Sequence, residues 1–407
     1  MKKTLWTKNF TLVTAASALG AVGGIAGGFA LSFLVFDETG STLASALILA
    51  IQLVPFFVLP LFLAPVMDRL PRKPFLVAGD LIDGVLYALM GLYLLKFEFS
   101  YAAYLGYSLL LACLESFDEL AFQSIYPKLI PEGMEQQGYA VSTTLYPILR
   151  VLMLPLAGIL LDAVGAAWIL IGQGGLSLLA ALIERNIDIT EHRREGGEKL
   201  FTLRQWRADI REAAEYLKNE RGVTGIFSYM AVTNGVASGY SSILVAFFRT
   251  FPGFTAAMYS LFSVFEFAGR TLGGAVQYKL KIAKEKKFGF TFLVYQIYEL
   301  MDMCLLWLPY PLMLANRALV GFLGANSATM RQAAMQTYIP EELRARLNAF
   351  QNMLITAASG LFALIIGALG EVLDYRLCVT ICGATAFIAA WLLVWRRRAD
   401  VRKIFEK

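Results

Sequence analysis

Charged side chains inside apolar stretches are the residues of this chain whose types and spacing could do chemistry. Glu115, Asp118 and Glu119 lie at positions i, i+3 and i+4, so they share one face of a helix. Three carboxylates so close cannot all ionise cheaply in a low dielectric, and at least one is expected to bind a proton near neutral pH. An ionised side chain at the centre of a bilayer costs roughly 2.5–3.5 kcal/mol, which makes these carboxylates candidates for function.

More charges of this kind follow along the chain. Arg150, in the next apolar stretch, is the candidate counter-ion of the three carboxylates. The second half of the chain adds Glu266, Arg270, Glu299, Asp302, Arg317 and Arg331. In one interpretation these residues form a proton-coupled site, where a carboxylate is neutral facing one compartment and ionised facing the other. In the other they are buried pairs that orient helices, and the i, i+4 spacing of Glu266 and Arg270 favours this second interpretation for that pair.

A short basic motif, Asp68-Arg69-Leu70-Pro71-Arg72-Lys73, lies between the second and third apolar stretches. Its charges could pair with a facing surface in one conformation and be released in another. Asp68, Arg69, Arg72 and Lys73 are therefore predicted to form a conformational latch. The alternative is that the basic residues only anchor the topology.

The composition indicates the elements that must position these charges. A mean hydropathy of +0.59, with 57% hydrophobic and 16% charged residues, excludes a soluble globular fold, which needs charged surface in water. Backbone amides in lipid must be paired within their own segment, and no alternating ten-residue strands occur, so helices are the spanning element. We predict an all-α membrane protein with twelve spans, each near the roughly 20 residues that a bilayer requires. The spans are 9–36, 43–66, 75–96, 101–126, 139–163, 165–184, 223–250, 255–278, 288–308, 311–335, 349–372 and 376–395.

The distribution of basic residues predicts the orientation of the chain. With a cytoplasmic N-terminus, the outer loops hold only Lys96, Arg249 and Arg376. The positive-inside rule then places both termini in the cytoplasm. The first apolar run is too long for the apolar core of a secretory signal, so it is interpreted as a retained helix.

Several function classes lack the residues they need. All four cysteines fall in predicted helices, so neither a disulfide framework nor a zinc site is expected. There is no cluster of metal-ligating residues, no Ser/His pairing within a span and no phosphate-binding glycine loop, so we expect no enzyme, no cofactor and no metal. The basic loops are interpreted as contacts of membrane lipid headgroups, and no nucleic acid partner is expected.

A long polar segment divides the chain into two sets of six spans. We predict an N-terminal bundle over 1–184, a cytoplasmic linker over 185–222 and a C-terminal bundle with a basic tail over 223–407. Within the linker, Thr202 and Gln205 have capping-box spacing. Leu203, Trp206, Ile210, Ala214 and Leu217 recur at helical intervals, which predicts an amphipathic helix.

The two sets of spans are similar when one is shifted by 209 positions. Ile130-Pro131-Glu132 then falls on Ile339-Pro340-Glu341, and Asp162 falls on Glu371. A parallel repeat of this kind predicts two pseudo-symmetric six-helix bundles.

Three stretches resemble the major facilitator superfamily, and more closely its branch of macrolide-efflux-like and siderophore-exporter-like proteins. They are Thr39-Gly40-Ser41 with Gln52, Pro55 and Pro65-Val66-Met67-Asp68-Arg69; Ile130-Pro131-Glu132; and residues 339–347, Ile-Pro-Glu-Glu-Leu-Arg-Ala-Arg-Leu. The sequence departs from the superfamily's loop motif at Ala64 and Pro71, where glycines are usual, and from its antiporter signature at Leu154.

The resemblance implies a secondary transporter of a bacterial cytoplasmic membrane that works by alternating access. Its expected partners are a small-molecule substrate, protons and membrane lipids, and a monomer is expected. It implies proton-driven export of an amphipathic compound, and a contact of Asp118 or Glu119 with Arg72. A proton-independent facilitator or importer of a nutrient or lipid is the first alternative. A membrane-embedded enzyme or sensor on the same scaffold is the second.

Overall fold

The computed structural model describes residues 4–67, 71–189, 211–212, 214–279 and 282–406. All regular elements in these ranges are helices. In the first half of the chain they are α1 (Lys8–Thr39), α2 (Thr42–Met67), α3 (Lys73–Lys96), α4 (Tyr101–Leu129), α5 (Glu135–Val164) and α6 (Ala166–Glu184).

The second half repeats this pattern. It contains α7 (Arg221–Thr250), α8 (Ala256–Lys279), α9 (Lys284–Cys304), α10 (Tyr310–Tyr338), α11 (Glu341–Gly370) and α12 (Tyr375–Ala389). Short turns of π and 3₁₀ helix over Ala390–Val394 and Trp395–Arg397 join α12 to α13 (Arg398–Glu406). The prediction of an all-α chain is confirmed. Most residues of each predicted span lie on one of α1–α12, but the span 288–308 runs beyond the end of α9, and the span 376–395 runs beyond the end of α12 into the short turns.

Eight of the described helical segments are long and apolar enough to cross a membrane. They lie on α1, α3, α5, α6, α7, α9, α11 and α12. Of the other four helices, α4, α8 and α10 carry many of the charges that the sequence singles out, and α2 is apolar over its first part, Thr42–Phe56.

The chain forms two compact units. The first comprises 1–40, 51–201 and 253–260, and the second comprises 41–50, 202–252 and 261–407. Each unit thus takes a short segment from the other half of the sequence. The predicted domain boundaries at 184 and 222 stay a prediction.

In the first unit, α6 is the helix around which others pack. It contacts α1, α3 and α5. Small residues let α3 and α6 approach: a Cβ atom on Gly174 would lie 2.7 Å from the carbonyl oxygen of Gly84. Such close backbone contact is how helices pack in lipid, where no hydrophobic driving force acts between them.

In the second unit, glycines bring α8 and α10 into backbone contact. A Cβ atom on Gly269 would lie 1.8 Å from the carbonyl oxygen of Ala318, and one on Gly321 would lie 2.0 Å from that of Glu266. The same unit packs α7 on α11 and α9 on α12. The glycine crossing therefore holds the charged stretches of α8 and α10 side by side.

Helix α13 and the end of the linker complete the second unit. Residues 211, 212 and 214–219 are helical, and Leu217 joins a buried apolar cluster with Phe288 and Phe405. Glu212 of this segment accepts a hydrogen bond from Arg346 Nη1 at 2.5 Å. The predicted amphipathic helix is thus helical from 211 to 219 where described, and its positions at 202–210 lie outside the described residues.

Two carboxylates that correspond under the 209-residue shift both meet the first turn of a helix. Asp162 Oδ2 accepts from the backbone N–H of Ala257 at 3.3 Å, and Glu371 Oε1 accepts from that of Leu43 at 2.9 Å. A carboxylate at this position satisfies an orphan N–H and complements the helix dipole. Burial works against ionisation of Glu371, but hydrogen bonds from Leu43, Ser41 and Thr42 outweigh it and lower the pKa of Glu371 below its usual value.

Candidate functional site

A polar cavity of about 260 Å³ in the second unit holds most of the charges predicted for the second half. Residues of α7, α8, α9 and α10 line it. They are Tyr229, Thr233, Asn234, Val236, Ala237, Tyr240, Arg270, Tyr295, Tyr298, Glu299, Asp302, Gly324, Ser327, Ala328 and Arg331. Glu266 and Arg317 do not line the cavity, but each pairs with a residue that does, namely Arg270 and Asp302. All six charged residues predicted for the second half therefore come together.

One charge pair at this cavity is almost fully buried. Arg317 donates to Asp302 through Nη2, and the same nitrogen donates to Asn316 Oδ1 at 2.9 Å. Arg317 is 2% exposed and Asp302 is 8% exposed. A pair this buried is stable only because each charge neutralises the other.

A second pair is the one that the i, i+4 spacing predicts. Arg270 Nη2 donates to Glu266 Oε1 at 2.6 Å, and its Nε donates to the same oxygen at 3.1 Å. Arg270 is exposed and Glu266 is half-buried in the isolated chain. The two residues therefore form a salt bridge within one helix.

The remaining two charges of this cavity contact phenols. Tyr229 donates to Glu299 Oε1 at 3.1 Å, and Arg331 Nη1 donates to the Tyr295 hydroxyl at 3.2 Å. The ring centroids of Tyr229 and Tyr295 lie 4.6 Å apart. Neither Glu299 nor Arg331 forms an ion pair with another described residue.

In the first unit, Glu115 and Asp118 belong to a larger group of carboxylates. Asp118 interacts electrostatically with Asp80, and Asp83 interacts with both Glu115 and Asp118. Helix α6 adds Glu184, which interacts with Asp80 and Asp118. We name these five residues the carboxylate cluster.

The carboxylate cluster contains residues that sequence reasoning missed. Glu184 is only 3% exposed, and its Oε2 has no hydrogen-bond partner among the described residues. In the sequence it stands at the boundary between an apolar span and the polar linker, where a charge is ordinary. The sequence did offer a signal for the cluster on α3. Asp80 and Asp83 are one turn apart within a predicted span, which is the same i, i+3 spacing as that of Glu115 and Asp118 on α4.

Glu119 lines a separate cavity of about 330 Å³ in the first unit. Its partner is Gln123, which donates to Glu119 Oε1 through Nε2. The lining consists of aromatic, aliphatic and hydroxyl side chains around this one charge: Thr14, Ser17, Ala21, Phe122, Tyr126, Val141, Ser142, Leu145 and Tyr146. Glu119 thus lines this cavity and also interacts electrostatically with Asp118.

Arg150 does not join these carboxylates. Its side chain is exposed, and it makes no ion pair with another residue that the structure describes. The counter-ion role inferred for it has no support in the described part of the chain.

The basic motif lies partly outside the described residues. Asp68 and Arg69 are among those not described. Arg72 is 9% exposed and precedes α3, which begins at Lys73. The latch role of the four residues stays a prediction.

The described residues contain no group of three or more His, Cys, Asp or Glu side chains placed to hold a metal ion. What the geometry offers is a cluster of carboxylates that can bind protons, of which Glu184 is buried, and two cavities that can bind small molecules.

Comparisons with known proteins agree on the class of this fold. The family described as Major Facilitator Superfamily matches residues 10–296 and 297–406. No curated protein matches the chain.

Three solved structures illustrate the likeness. A bacterial homolog of the human lysosomal transporter Spinster, in an inward-facing and unoccupied conformation, is 14% identical with a TM-score of 0.66, covering 98% of this chain and 94% of its own. A peptide transporter in complex with alafosfalin is 11% identical with a TM-score of 0.71, covering 100% and 98%. The nucleoside transporter NupG is 10% identical with a TM-score of 0.68, covering 96% and 99%. At these identities the likeness shows the fold alone.

Proposed function

The chain belongs to the major facilitator superfamily, and from this premise we propose that it is a proton-coupled secondary transporter that exports an amphipathic small molecule. It acts in a bacterial cytoplasmic membrane, with both termini in the cytoplasm. Helices α1–α12 are its twelve spans, arranged as two six-helix bundles that alternate access to the cargo.

The carboxylate cluster is the observation that carries the proton coupling. Its five side chains come from α3, α4 and α6 and interact electrostatically with one another. None of them forms an ion pair with a Lys or Arg that the structure describes. Like charges packed in a low dielectric repel, and binding a proton to one carboxylate oxygen relieves that repulsion.

Coupling follows if the compartment that the carboxylate cluster faces changes during transport. Facing the outer compartment, where protons are abundant, a carboxylate such as Asp118 takes up a proton. Facing the cytoplasm, it releases the proton. Exit of cargo is then linked to entry of protons, because the neutral and ionised clusters favour different conformations.

The cavities support an amphipathic cargo. Both combine aromatic rings with a few polar groups, which is the composition of small-molecule sites in general. The resemblance to macrolide-efflux-like and siderophore-exporter-like proteins favours antibiotics and siderophore-like compounds within this class.

Transport into inverted membrane vesicles tests the proposal. Vesicles holding the parent chain are energised with a proton gradient and offered a panel that includes a macrolide and a catecholate siderophore. Glu115→Gln, Asp118→Asn and Glu184→Gln are each expected to abolish the dependence of uptake on the gradient. Glu98→Gln, a change at an exposed residue outside the carboxylate cluster, is expected to transport like the parent.

Two results would count against the proposal. If all three variants transport like the parent at every pH, the carboxylate cluster does not couple protons. If cargo moves down its own gradient and collapsing the proton gradient has no effect, the chain is a facilitator of the proton-independent kind.

A further inference from the structure

We propose that the cavity of the second unit recognises an anionic group of its ligand, a carboxylate or a phosphate, through Arg331 and the hydroxyl of Tyr295. The inference rests on the proposed function in one respect, namely that this ligand is the cargo.

Arg331 is the one basic residue at this cavity without a carboxylate partner among the described residues. Arg270 pairs with Glu266, and Arg317 pairs with Asp302. Arg331 has only a phenol oxygen at 3.2 Å and the ring of the same tyrosine, whose centroid lies 6.0 Å from Cζ. A half-buried guanidinium is costly without an opposite charge, so the site favours a ligand that brings one.

The donors left at Arg331 suit a planar or tetrahedral anion. A guanidinium has five N–H groups in a rigid fork, and only one of them donates to a described residue. Because the Tyr295 oxygen accepts that bond, its own O–H proton is free to donate elsewhere. Two N–H groups of the fork and one phenol proton can therefore meet the oxygens of one carboxylate or phosphate.

Three other polar side chains of the cavity do not compete for this role. Thr233 and Asn234 donate to carbonyl oxygens of their own helix, and Ser327 does the same. The hydroxyl donors of Thr233 and Ser327 are thus used, and the amide N–H that Asn234 has left carries no charge, so these side chains can contact the rest of a ligand. The anion is therefore assigned to the Arg331 end of the cavity.

The acids at the cavity are placed so that they do not block an anion. Asp302 is neutralised by Arg317. Glu299 is 3% exposed and accepts a hydrogen bond from the Tyr229 hydroxyl. Glu299 therefore lowers the affinity for an anion by repulsion, but its side chain does not fill the position of the anion.

The test is equilibrium binding of two probes of the same shape to the purified full chain. The probes are 1-naphthaleneacetate, which is anionic, and 1-naphthaleneacetamide, which is neutral. The parent is expected to bind the acid at least tenfold more tightly than the amide. Arg331→Gln is expected to lose at least tenfold in affinity for the acid and less than threefold for the amide.

Two further variants keep the result interpretable. Arg331→Lys keeps the charge but loses the fork, so an intermediate preference for the acid is expected even if the glutamine variant folds poorly. Arg396→Gln removes the same charge from an exposed position outside the cavity and should bind both probes like the parent.

Three results would overturn the inference: equal affinity of the parent for acid and amide, no binding of either probe, or an unchanged preference in Arg331→Gln. Binding is measured without a membrane gradient. Loss of proton coupling in vesicles would therefore leave this result intact, and absence of anion preference would leave the transport result intact.

Discussion

Breaking the two arginine–carboxylate pairs of the second unit should have very different effects on stability. Asp302→Asn removes the charge that faces Arg317, and Glu266→Gln makes the matching change beside Arg270. In the first pair, the arginine and the carboxylate have 2% and 11% of their side chains exposed. In the second pair, the corresponding values are 57% and 28%. The chemistry is the same and only the burial differs.

The burial sets the expected magnitude. Removing one partner of a buried pair leaves an uncompensated charge and costs about 3–5 kcal/mol. An exposed pair at i, i+4 contributes only about 0.3–0.5 kcal/mol, because water screens both charges. For a unit of this size, roughly 2–4 °C of unfolding temperature corresponds to 1 kcal/mol. Asp302→Asn should therefore lower the apparent Tm by roughly 6–20 °C, and Glu266→Gln by about 1–2 °C.

The assay is thermal unfolding of the purified chain in one detergent, followed by intrinsic fluorescence at a fixed scan rate. A double variant, Asp302→Leu with Arg317→Met, replaces the buried pair with apolar side chains of similar size and should recover most of the lost Tm. Similar shifts for the two single variants would refute the reasoning, because burial would then not decide the cost. So would a double variant less stable than Asp302→Asn.

Three other predictions concern the packing that surrounds these sites. Glu371→Gln should speed hydrogen exchange of the Leu43 amide. Because the pKa of Glu371 is lowered, the parent keeps the slow exchange of this amide at every pH above about 4.5, the ordinary pKa of a glutamate, and loses it only as the pH falls below that value. Loss of this protection already between pH 8 and pH 6 would contradict the prediction. Gly269→Ala should lower the Tm by several degrees, because its Cβ would meet a backbone oxygen of α10, whereas Gly274→Ala on the same helix meets nothing within 4 Å and should be neutral or slightly stabilising. Phe405→Ala should cost about 3–5 kcal/mol in unfolding experiments, since the ring is 4% exposed in the apolar cluster of the second unit, and an unchanged Tm would show that α13 does not stabilise that unit.

Hydropathy predicted the helices well because their hydrogen bonds are local. Most residues of each predicted span lie on one helix. The spacing of charges within a single helix also predicted a contact correctly, namely the one between Glu266 and Arg270. Contacts between helices were predicted less well. Arg150 follows the acids of α4 closely in sequence, yet the structure leaves it exposed.

Glu184 illustrates the opposite failure. At the end of an apolar span a glutamate is unremarkable, and nothing in its neighbours indicates that it is buried. Its place beside Asp80 and Asp118 depends on the packing of α6 on α3, which small residues such as Gly84 and Gly174 make possible. A single sequence carries the glycines but not the rotation of one helix against another.

The amino-acid sequence by itself determined that the chain is built of apolar helices and which of them carry charges. These properties follow from side-chain polarity and from hydrogen bonds within one helix. Only the tertiary structure decided that Asp302 neutralises Arg317 while Glu299 and Arg331 each face a tyrosine. The reason is physical: partner choice between helices depends on their rotation and separation, which are set by packing across the whole unit and not by spacing along the chain.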